Sequence, residues 1–230
     1  MKKIVSFGDS FIFGYELKNN PDGSRAWPAL AAKKLGVKYK TYGNPGCGND
    51  AIARQIYSHF ANNPTADTLA VINWTWASRW DVYITEHETW LSIGPTCVPE
   101  KLERLVNQTQ SHELIDFYSS YLSKSLTWDK VRNLQTIFAA QQYLKIKKIK
   151  NVQTYMDHEL FSTEFHCPDY IEELQKLVKP EMSDWGQGLN FLDWCRKKQF
   201  GITDIYWHPL EDAHHAAAEL WAPVYQNRFQ

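Results

Sequence analysis

The chain has 230 residues, 43% hydrophobic, 22% charged and 14% aromatic, which excludes intrinsic disorder and collagen-like repeats. Lys and Arg number 25 against 26 Asp and Glu, so the net charge of -1 provides no global field to hold nucleic acid or an anionic membrane. No run approaches the roughly eighteen apolar residues of a membrane span, and Met1-Lys2-Lys3 leads straight into a strand-like segment; a soluble, cytoplasmic protein with no nucleic-acid or membrane partner is expected.

Lys3 to Phe7 reads as a buried strand that stops at Gly8. Trp27 to Leu35 carries apolar residues at helical spacing, with Gly36 as a stop. A second strand, Tyr39 to Tyr42, runs into the glycine-rich stretch Gly43 to Asp50, and a helix follows from about Asp50 to Phe60 with Ile52, Ile56 and Phe60 on one face. Leu69 to Ile72 is a third strand. Strands alternating with helices at this spacing predict βαβ units and a mainly parallel sheet.

Residues from about 84 to 126 hold Gly94, Pro95 and Pro99 close together and read as an insertion of short helices and loop without a clear strand. Ser125 or Thr127 then caps a helix to about Lys148, with Trp128, Val131, Leu134, Phe138, Gln141 and Leu144 three or four apart. Asn151 to Met156 is a fourth strand, residues 157 to 187 a second irregular excursion, and helices follow near Leu189 to Phe200 and Leu210 to Tyr225. No repeat and no linker interrupts residues 1–230, so one domain with two excursions is expected. Cys47, Cys97, Cys167 and Cys195 are scattered and form no C-x-x-C pair, so four reduced, mostly buried thiols are expected. Asp157, His158, His166 and Cys167 fit no zinc-ligand spacing; neither metal nor cofactor is expected.

Chemistry concentrates at the two ends of the chain. Ser10, in Phe7-Gly8-Asp9-Ser10-Phe11, follows the first strand directly, and the carboxyl ends of parallel strands are where α/β sheets hold ligands. A serine needs a base to become a nucleophile, and the base needs an orienting group. Asp204-Ile205-Tyr206-Trp207-His208-Pro209, opening the last helix, supplies both. The Ser10 N–H is a natural donor for the oxyanion that acyl transfer creates.

These segments resemble the SGNH/GDSL hydrolases over roughly residues 1–83 and 149–230. The resemblance implies a three-layer α/β/α sandwich with a flavodoxin-like, mainly parallel sheet, here with a helical insertion after the third strand. It also implies ester hydrolysis by a Ser-His-Asp triad, with Ser10 as nucleophile, His208 as general base, Asp204 as the orienting acid and Asp9 supporting the turn. Gly46 matches the family's second-block glycine and offers a second oxyanion N–H; Gly48 takes that place if the register slips by two. The third block departs from Gly-x-Asn-Asp: this chain reads Asn73-Trp74-Thr75-Trp76, with Thr75 at the usual Asn position. The Thr75 hydroxyl, the Asn73 amide and Asn49 from the neighbouring loop are the alternatives for the missing donor. That variant resembles uncharacterised GDSL-like proteins, many of them in tailed phages, which extends the expected location to a virus.

Asp204 and His208 are also one residue further apart than the family's Asp-x-x-His, which leaves Glu211 and Asp212 as fallback acids. His214 and His215 are expected on the helix surface or against the core. Trp74, Trp76, Trp80 and Trp90 are expected to pack the insertion onto the sheet, or else to stack on a sugar. The reading is an esterase for a small carboxylic ester or a glycan O-acetyl ester; a binding or structural module that keeps the fold without efficient turnover is the alternative.

Overall fold

The computed structural model describes residues 1–63, 65–95, 97, 99–103, 106–163 and 168–230. In chain order its elements are β1 (Lys3–Gly8), α1 (Ser10–Phe13), α2 (Trp27–Lys34), β2 (Lys38–Gly43), α3 (Asn49–Asn62), β3 (Thr68–Trp74), β4 (Trp80–Ile84) and β5 (Thr89–Ile93). Then come α4 (Pro99–Leu102), α5 (Gln108–Ser120), α6 (Leu126–Ile146), β6 (Lys150–Tyr155), α7 (Pro168–Val178), α8 (Phe191–Lys197) and α9 (Glu211–Arg228).

Strands β2-β1-β3-β6 form a parallel sheet in that order. Because successive strand residues point to opposite faces, Ile4, Leu69, Val71 and Val152 pack with the α2, α8 and α9 side chains, including Trp27, Phe191, Trp221 and Tyr225. Val5, Phe7, Ala70 and Ile72 pack on the other face with Ile52 and Ile56 of α3, Leu134 and Ile137 of α6 and Ile171 of α7. The result is a helix–sheet–helix sandwich of three layers, as the resemblance implies. Among the described residues no helix is long and apolar enough to cross a membrane.

The middle of the chain departs from the expected helices and loop. It begins with an antiparallel hairpin, β4 against β5, in which Trp80 pairs with Ile93 and Val82 with Leu91. Trp80, Val82, Leu91 and Ile93 share one face and pack with Leu102, Val106 and Tyr118. Asp81, Tyr83, Trp90 and Ser92 alternate onto the other face. This period-two pattern is interrupted by the polar turn Thr85 to Glu88, which hides it as a continuous strand signal. The excursion after β6 likewise contains α7, whose Ile171, Leu174 and Val178 recur at helical spacing and join the core. Ser125 is the α6 cap, accepting the Trp128 N–H at 3.3 Å. Cys47 and Cys195 are buried free thiols, raised in pKa by burial; Cys97 is half-buried, and Cys167 lies outside the described residues.

What matters for function is the carboxyl edge of the sheet. There Gly8 stands opposite both Gly43 and Asn73, and Asn73 opposite Thr154. The one-turn helix α1 lies against this edge because Gly8 has no side chain: a Cβ there would sit 2.6 Å from Ile12 Cγ1 and 2.9 Å from the Asn73 carbonyl oxygen. Gly8→Ala is expected to destabilise the fold by about 1–3 kcal/mol, the range for forcing atoms into a packed interior. That corresponds to about 2–4 °C in Tm for each kcal/mol in a chain of this size, measurable by calorimetry.

His214, expected on the surface or against the core, is buried and accepts the Trp27 N–H at Nδ1, 3.0 Å away. Burial pushes its pKa down to about 3. A histidine neutral in the fold but titrating near 6.5 when unfolded contributes stability above pH 6.5 and loses it progressively as the pH falls toward 3. Urea unfolding at pH 7 and pH 5 is expected to show that loss, and His214→Gln, which stays uncharged, is expected to flatten it.

Candidate active site

The site is built around a carboxylate that cannot reach water. Asp9 is fully buried at the end of β1. Its Oδ1 accepts the Phe11 N–H at 3.0 Å, which caps α1 and sets Ser10 at the first helical position. Its Oδ2 accepts the Thr75 hydroxyl and the Arg79 guanidinium, both at 2.7 Å. Arg79 also donates to Thr75 Oγ1 at 2.7 Å and to the Cys47 carbonyl at 3.3 Å. Charge and hydrogen-bond capacity of Asp9 are thereby both met, the condition for leaving a carboxylate inside a protein.

The loop from Thr75 to Arg79 is held from behind. Asn133 Nδ2 and Arg132 donate to the Ala77 carbonyl at 2.9 and 3.1 Å, Arg132 to the Arg79 carbonyl at 2.7 Å, and the Ala77 N–H donates to Asp157 at 2.9 Å. Burial, the leading influence on Asp157, raises its pKa. Asn49 accepts the Thr75 N–H at 2.8 Å and donates to the Thr75 carbonyl at 3.1 Å and to Asn133 Oδ1 at 2.6 Å.

These bonds sort the candidate oxyanion donors. The Thr75 hydroxyl is spent on Asp9, and both hydrogens of the Asn49 amide are taken. The Gly48 N–H donates to Asp81 Oδ1 at 3.1 Å. Asn73 remains: its Oδ1 accepts the Thr154 hydroxyl at 2.7 Å, while its Nδ2, buried on the sheet edge, has no partner among the described residues. Gly46 sits in an exposed turn, and neither its N–H nor that of Ser10 is bonded to an acceptor among the described residues.

His208 comes to α1 from the far end of the chain. Its ring centroid lies 5.1 Å from that of Phe11 and 5.5 Å from that of Tyr15. Its Nδ1 is 2.7 Å from Glu16 Oε2, and the same oxygen accepts the Thr203 hydroxyl at 2.8 Å. A carboxylate on Nδ1 fixes the tautomer and leaves Nε2 as the basic nitrogen. Glu16 thus occupies the place at which Asp204 was expected.

The reason lies in loop closure. The Thr203 N–H donates to the His208 carbonyl at 2.9 Å, and the His208 N–H to Thr203 Oγ1 at 3.0 Å. That pairing shuts the base of the loop and turns residues 204–207 outward, so Asp204 is exposed and makes no hydrogen bond to His208. Glu211 accepts the Lys18 N–H at 3.3 Å instead of facing the ring. Glu16 is positioned by Gly14, which ends α1 in the left-handed region at φ 70°, and by Asn20, whose Nδ2 donates to the Phe13 and Gly14 carbonyls at 2.8 Å. Its own φ is also positive, 69°. A glycine followed two residues later by an acid was the only sequence trace of this role, because the contact spans 192 positions.

His158 bonds Asp193 at 2.8 Å, Asp157 is engaged as above, and His166 and Cys167 lie outside the described residues; among the described residues no group of three His, Cys, Asp or Glu side chains could hold a metal.

No protein-family model matches the chain, and no curated protein matches it. Solved structures do. One is a member of the lipolytic protein G-D-S-L family from Veillonella parvula, at 12% identity and TM-score 0.51 over 98% of this chain and 99% of that one. A second is the psychrotrophic esterase EstA from Pseudoalteromonas sp., at 10% identity and TM-score 0.53 over 99% and 98%. A third is TesA, at 15% identity and TM-score 0.53 over 99% of both chains. The chain has the fold of the G-D-S-L lipolytic proteins and esterases.

On that fold the histidine-orienting contact has a direct spectroscopic test. The Nδ1 proton of His208, held against a carboxylate, is expected as a strongly downfield NMR resonance that Glu16→Gln displaces and Asp204→Asn leaves in place.

Proposed function

We propose that the chain is a serine hydrolase of small carboxylic esters in which Ser10 is the nucleophile, His208 the general base and Glu16 the acid that orients it. The observation that carries this reading is the 2.7 Å contact of Glu16 with His208 Nδ1, made beside the helix that begins at Ser10. His208 Nε2 removes the Ser10 hydroxyl proton as Oγ attacks the acyl carbon, and the imidazolium returns that proton to the departing alkoxide. Water deprotonated by His208 then attacks the acyl-enzyme, and collapse of the second tetrahedral intermediate releases the acid and restores Ser10.

The oxyanion is received by donors that have no acceptor among the described residues: the Ser10 and Gly46 N–H groups and Asn73 Nδ2. Preorganised, unspent donors of this kind stabilise developing charge without reorganisation. Ser10 Oγ and His208 make no hydrogen bond in this structure, a contact that in unliganded hydrolases is commonly long and tightens with substrate. The alternative, a binding or structural module without efficient turnover, draws on one observation: the Thr75 hydroxyl, standing where the family places its Asn donor, is committed to Asp9.

A fluorophosphonate probe separates the two, since only an activated serine is phosphonylated. The wild type is expected to label at Ser10 and to hydrolyse aryl acetates, and Ser10→Ala to do neither. Glu16→Gln is expected to lower kcat/KM by about two to four orders of magnitude, the scale for losing the group behind a catalytic histidine. Asp204→Asn is expected to stay within about twofold, the effect of a surface change. Equal aryl acetate rates in wild type and Ser10→Ala remove the hydrolase reading.

A further inference from the structure

Beside the loop that carries Gly46, a cleft of about 370 Å³ opens between α3 and the outer face of the β4–β5 hairpin. It begins at Asn44, whose N–H donates to the Gly8 carbonyl at 2.9 Å, two residues before Ser10. Arg54 and Gln55 of α3 form one wall, and Trp90 and Ser92 of β5 the other. The hairpin is fastened there by Asp81, which accepts the Gly48 and Ala51 N–H groups at 3.1 and 2.8 Å and the Ser92 hydroxyl.

Two groups in this cleft lack the partners their chemistry calls for. The Arg54 guanidinium lies 3.5 Å from the centroid of the Trp90 ring, yet it makes no hydrogen bond or ion pair among the described residues. The nearby carboxylates are otherwise engaged: Asp81 as just described, and Asp50 by Arg132 and Thr136, both at 2.6 Å. Gln55 Oε1 is buried and accepts no hydrogen bond among the described residues. A guanidinium fork matches a carboxylate in a bidentate pair, and an orphaned amide oxygen asks for a hydroxyl or N–H donor. Trp90 is 48% exposed and presents a flat apolar surface at the mouth.

From this pairing we infer that the cleft is a subsite for a carboxylate-bearing sugar ring, a uronic acid. Its carboxylate meets Arg54, a ring hydroxyl donates to Gln55 Oε1, and its apolar edge lies on Trp90. A neutral sugar leaves the guanidinium unpaired, and an aromatic acid leaves Gln55 Oε1 unpaired. Because the cleft adjoins the Gly46 turn, the acidic ring is the alcohol part of the ester; that assignment rests on the serine hydrolase reading, whereas binding in the cleft does not.

The test titrates the protein with methyl β-D-glucuronide, methyl β-D-glucoside and benzoate. It follows the Trp90 indole N–H by NMR, identified by its absence in Trp90→Phe, and takes affinities from calorimetry. The glucuronide is expected to shift that resonance and to bind about ten- to a hundredfold tighter than the glucoside, the range for a charge-assisted hydrogen bond. Arg54→Met is expected to erase the difference while its circular dichroism matches the wild type. Equal binding of glucuronide and glucoside, tighter binding of benzoate, binding by neither sugar, or undiminished glucuronide binding by Arg54→Met overturns the proposal. Glucuronide binding together with Ser10-independent aryl acetate turnover removes the hydrolase reading and leaves the acidic-sugar site standing.

Discussion

A carboxylate sealed from solvent has to find donors within the fold, and Asp9 finds three: the Phe11 N–H, the Thr75 hydroxyl and the Arg79 guanidinium. They come from two parts of the carboxyl edge. The first starts α1 and presents Ser10; the other two pull the loop after β3 down onto the end of β1. Removing either partner of such a buried pair leaves a charge uncompensated, which typically costs about 3–5 kcal/mol. The loop after β3 is therefore a structural strut in this chain, and Arg132, Asn133, Asn49 and Asp157 brace it from the opposite side.

This constraint has a consequence for the chemistry on offer. With Thr75 and Asn49 absorbed into the strut, the donors at the edge left without acceptors among the described residues are the Ser10 and Gly46 N–H groups and the Asn73 amide nitrogen. Of these, Ser10 and Asn73 are buried and Gly46 lies in an exposed turn; a buried donor without an acceptor is uncommon in native structures. Asn73, two residues before Thr75, thus keeps an unpaired amide nitrogen among the described residues, while the loop residue that aligns with the family's Asn is used to hold the fold.

Much of the sandwich was legible because it follows from local rules. An apolar run ending at glycine marked β1, the segment Tyr39 to Tyr42 running into a glycine-rich stretch marked β2, and spacings of three and four residues marked α2, α3 and α6. The hairpin was not, since its inward face alternates over only five residues a side and a polar turn splits it. The helix α7 was readable from Ile171, Leu174 and Val178 but was masked by the irregular segments around it. At the site, the sequence put Ser10 and Asp9 on a turn after the first strand and His208 before the last helix, and the structure brings Phe11, Tyr15 and Glu16 to that histidine.

What the amino-acid sequence determined by itself was much of what is decided within a few residues: the four parallel strands, most of the helices packed on them, the turn after β1, and the chemical types present at each end of the chain. Which carboxylate faces His208 was decided only in three dimensions. Asp204 is near in sequence, but the Thr203–His208 pairing closes its loop and sends it outward, while Glu16, 192 residues away, is delivered by the turn at Gly14. Hydrogen bonding depends on distance and direction in space, and a loop closed by its own backbone separates neighbours in sequence as surely as a sheet joins strangers.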